Sequence, residues 1–127
     1  MIVVCEMSKS QQLKNILDQA RDKEKNYDFL KATDLYEQAL RVVGTKDFLK
    51  RGEIEERIGF FLHRAAFQAE NKEEFKQRIR RAIEEYEKAH GFYEQLTDDQ
   101  KTARMFRCKA IVKYLGYWLA SKPVSYT

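Results

Sequence analysis

The residues of this sequence best suited to metal binding or catalysis are two histidines and a nearby carboxylate. His63 and His90 lie 27 positions apart (90 − 63), and Glu87 precedes His90 by three. A Glu-x2-His pair on a helix can present both groups to an iron ion, but a di-iron site needs two such motifs and further carboxylates. Position 60, three before His63, is Phe. We therefore predict no metal site, no cofactor and no enzymatic activity.

The two cysteines, Cys5 and Cys108, lie far apart in the chain. Cys108 falls on an apolar helix face, where cysteine behaves as a small hydrophobic residue. We expect both thiols to be reduced, because disulfides are rare in cytosolic proteins. No apolar stretch approaches the ~20 residues of a membrane span, and residues 1–7 lack the basic start of a signal peptide. We predict a cytoplasmic protein.

Basic residues are concentrated towards the C-terminus. Residues 98–127 carry six basic and two acidic side chains, which accounts for the net charge of +4. Lys101, Arg104 and Arg107 recur every three residues on one side of a predicted helix, with no acidic residue beside them after Asp99. We expect this basic strip to meet an acidic protein partner. Nucleic acid is the alternative partner, although binding at physiological salt takes many such contacts.

The last predicted helix is apolar on nearly every side. Between residues 110 and 120 only Lys113 is charged, whereas a surface helix normally has one polar face. The helix could be enclosed within the bundle, pair with a second copy in a homodimer, or dock a helix from a partner or a longer parent chain. Tyr and Trp are enriched at interaction hot spots, so we predict a partner-binding site at Tyr114, Tyr117, Trp118 and Leu119.

Helices must position these residues. Charged residues make up 35% of the chain and there is one Pro, a composition that favours long helices with solvated faces. Apolar residues at 3.6-residue spacing predict five helices in a single all-α domain, residues 1–127, with loosely ordered tails at 1–8 and 122–127. Short connections predict antiparallel neighbours. The expected N-terminal caps are Ser8 or Ser10, Asp28, Thr45, Asn71 with Glu74, and Thr97 with Gln100.

Two glycines mark expected features of the middle of the chain. Gly44 is expected to end the second helix in a left-handed conformation, which glycine adopts at little cost. Gly52 is expected to interrupt the start of the third helix, because glycine has low helix propensity. Phe60 and Phe67 widen the apolar face of this third helix, which we therefore expect to be central.

Two segments share a spacing of small, aromatic and small residues. These are Ala32, Tyr36 and Ala39 in the second helix, and Ala82, Tyr86 and Ala89 in the fourth. The spacing resembles the second helix of a tetratricopeptide repeat, and the chain is also similar to the helical-hairpin arrays of SNAP adaptors. The motifs lie 50 positions apart (82 − 32), against a family period of about 34, so longer hairpins fit better. This resemblance implies stacked hairpins that act as a protein-interaction scaffold.

A second resemblance covers residues 10–70. Tyr27-Asp28 and the run from Leu35 to Leu40 resemble a microtubule-interacting-and-trafficking domain, a three-helix bundle that binds short helical motifs. That family leaves the fourth and fifth helices unexplained. A generic helical bundle, in which the repeated spacing arose by chance, is the third interpretation.

Overall fold

The chain forms five helices in a computed structural model that describes residues 8–120. They are α1 (Lys9–Lys25), α2 (Phe29–Val42), α3 (Phe48–Ala66), α4 (Lys72–Glu94) and α5 (Lys101–Ala120). Residues 8–120 contain no strand, so the predicted all-α fold of five helices is confirmed. Cys5 and the predicted tails, apart from Ser8, lie outside the described residues.

Three of the predicted N-terminal caps are confirmed. The side chains of Ser8, Asp28 and Asn71 each accept a hydrogen bond from the backbone N–H three residues further on. Such a bond satisfies one of the free N–H groups in the first turn. The Glu74 carboxylate accepts from the backbone N–H of Glu70 at 3.0 Å, one residue before the cap. The start of α4 is therefore held by side chains from both ends of its first turn.

The starts of α3 and α5 differ from prediction. Asp47, not Thr45, caps α3. At α5, the backbone N–H of Gln100 donates to Asp98 Oδ1 at 2.9 Å, in place of the expected bond to Thr97. At α3 a carboxylate, a strong N-terminal acceptor, stands close to the predicted hydroxyl and caps the helix. The bond from Gln100 to Asp98 lies before the first residue of α5, Lys101.

The end of α2 also differs from prediction. No glycine in residues 8–120 has a positive φ, and the helix ends through Val43, which is extended at φ −72° and ψ 137°. The left-handed ending predicted at Gly44 is therefore wrong. Instead, the Arg51 guanidinium donates to the carbonyls of Leu40 at 3.2 Å, Val43 at 2.8 Å and Gly44 at 2.9 Å. A side chain from the next helix satisfies the carbonyls that the end of a helix leaves free.

The helices are arranged as a series in which each packs on the next along the chain, and α3 and α4 share the largest interface. Ion pairs then connect alternate helices. They are Glu24 with Arg57 (α1 to α3), Glu37 with Arg81 (α2 to α4) and Glu56 with Arg107 (α3 to α5). This layered order is compatible with a helical repeat fold. The expectation that α3 is central is confirmed, since it packs between α2 and α4.

Close approach of α3 and α4 depends on two glycines of α3. A β-carbon at position 52 would lie 2.4 Å from Cε1 of Tyr93, and one at position 59 would lie 2.8 Å from Cδ2 of Tyr86. The prediction that Gly52 interrupts α3 is therefore wrong. Gly52 instead makes room for the Tyr93 ring of α4. Tyr86 is the aromatic residue of the second small-aromatic-small motif, and the core buries it.

Candidate protein-interaction surface on the last helix

One face of α5 forms part of the protein core. Cys108 and Leu115 are the only residues of α5 that are fully buried, while Val112 and Leu119 are half-buried against the main core. Leu119, predicted to be part of the partner-binding site, thus contributes to packing within the chain. Within residues 8–120, α5 is not enclosed by other helices, so that explanation of its apolar character is wrong.

A second face of α5 joins a cluster of aromatic side chains from α3 and α4. Tyr114 meets His63 with a ring-centroid distance of 5.9 Å, and Trp118 meets Phe67 at 5.6 Å and Phe75 at 6.0 Å. The Trp118 contacts are edge-to-face, an arrangement that aromatic quadrupoles favour. We define the aromatic groove as Phe60, His63, Phe67, Tyr114 and Trp118. Phe67 and Tyr114 are 56% and 51% exposed.

The aromatic groove opens into a cavity of about 490 Å³ whose far side is formed by Tyr27 and Phe29. Tyr27, at the turn between α1 and α2, has φ 60°, a conformation that is uncommon outside glycine. Gln68 Nε2 donates to the Tyr27 carbonyl at 3.0 Å, which ties this turn to the end of α3. The Tyr27 side chain lines the cavity as a result.

The cavity is also lined by Arg64, whose positive charge has no acidic partner in an ion pair among the described residues. The Arg64 guanidinium lies over the rings of Phe29 at 5.3 Å and Phe60 at 5.9 Å. It forms no ion pair within the part of the chain that the structure describes. Burial, and secondly the charge of Arg64, lower the pKa of His63, which favours the neutral imidazole. The cavity therefore has the chemistry to bind an apolar group that carries a nearby carboxylate.

The basic strip predicted at the start of α5 is largely matched by partners within the chain. Arg107 forms a two-contact ion pair with Glu56, which also accepts from the Tyr93 hydroxyl. The prediction that the strip lacks acidic partners is wrong for Arg107, because Glu56 reaches it from α3. Arg104 lies over the Tyr93 ring at 5.4 Å and donates to Gln100. Lys101 begins the helix and has no ion pair within residues 8–120.

A third face of α5 points away from the other helices. Tyr117 is 77% exposed, and it shares this face with Phe106, which is 74% exposed. The two residues are 11 positions apart, or three helical turns. Phe106 was not predicted as a site residue because it lies before the apolar stretch, although its spacing from Tyr117 can be read from the sequence. The predicted site residues are thus divided: Tyr114 and Trp118 face the groove, and Tyr117 faces outward.

The thiol of Cys108 and the imidazole of His90 line one cavity between α4 and α5. Burial raises the pKa of the Cys108 thiol to about 12, which keeps it protonated and weakly nucleophilic. His90 Nδ1 lies 3.4 Å from Oε1 of Glu94, four residues later. Residues 8–120 contain no group of three or more His, Cys, Asp or Glu placed to hold a metal ion.

Comparison with known proteins does not assign a family. No protein family, curated protein or solved structure matches the chain significantly. Among the helices described here, none is long and apolar enough to cross a membrane.

Proposed function

We propose that the chain is a non-catalytic, cytoplasmic protein-interaction scaffold built from TPR- or SNAP-like helical hairpins. It binds a helix, a peptide or a second copy of itself through α5 and the aromatic groove. The observation that carries this proposal is the concentration of exposed aromatic side chains on α5 and beside it. Aromatic rings with an apolar body and a polar edge are favoured at binding hot spots.

The repeat-like order of the helices supports the hairpin interpretation. Each helix packs on the next, and the three ion pairs between alternate helices hold the layers in register. Residues 10–70, which resemble a trafficking-type three-helix bundle, end in the connection between α3 and α4, and α4 shares its largest interface with α3. A scaffold that includes α4 and α5 in the same array accounts for more of the chain than that bundle does.

The aromatic groove has the composition expected of a peptide-binding surface. Its rings are held against one another, so little side-chain entropy is lost when a ligand covers them. Arg64, which carries the unmatched charge, can contribute a charge-assisted hydrogen bond to a ligand carboxylate. An apolar peptide with an acidic residue fits both features.

Capture from cells of the native source tests this function. Tagged wild-type protein is compared with Tyr114→Ala, with Trp118→Lys and with the control Leu30→Ala, which truncates an exposed side chain on α2. We expect the same protein partner, or untagged copies of the chain, to co-purify with the wild type and the control but not with the groove variants. Equal recovery on all four baits, or on none, contradicts the proposal. Circular dichroism establishes that each variant is folded.

Nucleic-acid binding by α5 is the alternative function. Its support is limited to Lys101 and to the lysines on the outward side of the helix, because Arg107 is paired with Glu56. A gel shift with mixed nucleic acid at low salt tests it directly. The scaffold proposal predicts no shift, since neutralising few phosphates gives little affinity.

A further inference from the structure

The third face of α5 corresponds to the face of α3 that holds α4. Adding 54 to the number of a residue in α3 gives the residue at the equivalent position of α5, as for Ile54 and Cys108 (108 − 54 = 54). Under this correspondence, the buried or half-buried core positions of α3 fall on buried or half-buried positions of α5. The pairs are Ile54 with Cys108, Ile58 with Val112, Phe61 with Leu115, and Ala65 with Leu119.

The same correspondence identifies the positions that α4 covers on α3. Tyr93 lies against Gly52 and Tyr86 against Gly59, while the Glu55 carboxyl faces Glu85 of α4. All three α3 residues are buried. They correspond to positions 106, 109 and 113 of α5, and Leu62 corresponds to position 116. We define the outer face of α5 as these four positions, Phe106, Lys109, Lys113 and Gly116, together with the adjacent exposed residue Tyr117.

No other helix in residues 8–120 packs on this outer face. Phe106 is exposed, in contrast to its buried counterpart Gly52. A β-carbon at position 116 would meet no atom within 4 Å, whereas one at Gly59 would meet the Tyr86 ring. The backbone at Gly116 therefore leaves space for a side chain from a helix that docks here. Its counterpart on α3 is Leu62, whereas the counterpart of Gly59 is Lys113.

The charge of the outer face defines its occupant. Lys109 and Lys113 line a cavity with Glu87 of α4, but they form no ion pair within the described residues, and the outer face itself contains no acidic residue. A second copy docking through its own outer face would bring two further lysines to the contact, and like charges across an interface are costly. A helix with carboxylates beside an apolar stripe satisfies the lysines and covers Phe106 and Tyr117.

We propose that the outer face of α5 docks an acidic amphipathic helix from a different protein, in the place that α4 occupies on α3. Phe106 and Tyr117 form the apolar centre of this contact, and Lys109 and Lys113 pair with carboxylates of the partner. The inference rests on the proposed scaffold function, and it adds a docking surface separate from the aromatic groove and a chemistry for its ligand.

Two designed peptide probes test the inference on the full chain. Both peptides are 20-residue helices with the same leucine and tyrosine stripe, and the residues that flank the stripe are Glu in one and Lys in the other. Fluorescence anisotropy measures their binding to the wild type and to the double variant Lys109→Glu/Lys113→Glu. The control Lys14→Glu/Lys46→Glu reverses two exposed charges outside α5.

The wild type and the control are expected to bind the Glu peptide at least about tenfold more tightly than the Lys peptide, because like-charge contacts at an interface cost several kcal/mol. The double variant reverses this preference. Equal binding of the two peptides, no binding of either, or a preference that survives the double charge reversal overturns the inference.

Self-association and failure of the scaffold function give different results. Light scattering of the purified chain is expected to show a monomer. A dimer that Phe106→Ser/Tyr117→Ser abolishes would make a second copy the occupant and would overturn the inference. If the outer-face tests fail while capture still depends on Tyr114 and Trp118, the scaffold function stands without this docking surface. If capture fails as well, both proposals fall.

Discussion

The backbone of Gly59 lies against the ring of Tyr86, so that a β-carbon at position 59 would be 2.8 Å from two ring carbons. Real β-carbons do not approach other atoms this closely, and Tyr86 is buried with little freedom to move. The contact fixes how closely α3 and α4 approach, and it gives the small-aromatic-small motif of α4 a direct structural role.

Replacing Gly59 by Ala is therefore expected to destabilise the protein. Overpacking of a core contact costs about 1–3 kcal/mol, and this loss outweighs the better helix propensity of Ala. Gly91 is the control, because a β-carbon there meets nothing within 4 Å. Gly91→Ala is expected to raise the free energy of unfolding by as much as about 1 kcal/mol. Urea unfolding of both variants measures the difference; equal stabilisation by the two substitutions would contradict the contact.

A buried carboxyl pair between α3 and α4 makes stability depend on pH. Burial, followed by the hydrogen bond and charge of Glu85, raises the pKa of Glu55 from 4.5 to about 9. A raised carboxyl pKa means that the folded protein holds this proton more tightly than the unfolded chain. The stabilisation is complete below pH 4.5 and is lost as pH rises through about 9.

The variant Glu55→Gln keeps the group neutral at every pH. Between pH 5 and 8 the wild type is expected to lose stability as pH rises, and the variant is not. The free energy of unfolding of the variant, relative to that of the wild type, should therefore increase by about 1 kcal/mol per pH unit. Unfolding temperatures at several pH values measure this effect. The control is Glu70→Gln, an exposed position between α3 and α4. Parallel pH profiles for wild type and Glu55→Gln would show that Glu55 is charged in the folded state.

The thiol of Cys108 is expected to be unreactive in the folded protein. Its pKa, raised by burial to about 12, leaves almost no thiolate at pH 8, and thiolate is the reactive form. In the variant Cys5→Ser, where Cys108 is the only cysteine, alkylation by iodoacetamide should be about 100-fold slower in the native state than in denaturant. Mass spectrometry follows the reaction. Rapid labelling of the native protein would show that Cys108 is accessible and ionised.

The ion pair between Arg107 and Glu56 is expected to help hold α5 on the array. Arg107→Ala should cost about 1 kcal/mol, a modest loss because the Arg107 side chain is half exposed and screened by solvent. Arg21→Ala removes a more exposed pair with Asp18 and should change stability by less than about 0.5 kcal/mol. Thermal unfolding compares them, and a larger effect at Arg21 than at Arg107 would contradict this role.

Local features of the fold could be predicted from the sequence. Ser8, Asp28 and Asn71 cap their helices because a cap needs only the chemistry of one side chain and the next three residues. The central position of α3 also followed from its wide apolar face. Gly52 was misjudged because its helix propensity is local, whereas the Tyr93 ring that it accommodates lies more than 40 positions away.

The candidate site was predicted only in part, for a similar reason. The aromatic residues of α5 were identified, but their division between the groove and the outer face depends on where α3 and α4 lie. Arg107 was predicted to lack an acidic partner because Glu56 is 51 positions away. Long-range partners of this kind follow from the order in which helices pack, which periodicity within a single helix does not specify.

The molar mass of the assembly that this chain forms in its native source tests the scaffold function most directly. Gentle isolation of the tagged wild type, removal of the tag and light scattering are predicted to give a complex larger than the 15.1 kDa chain. Trp118→Lys, folded by circular dichroism, is predicted to lose the partner of the aromatic groove and to give a smaller assembly than the wild type. A monomer of 15.1 kDa for the wild type itself would contradict the account.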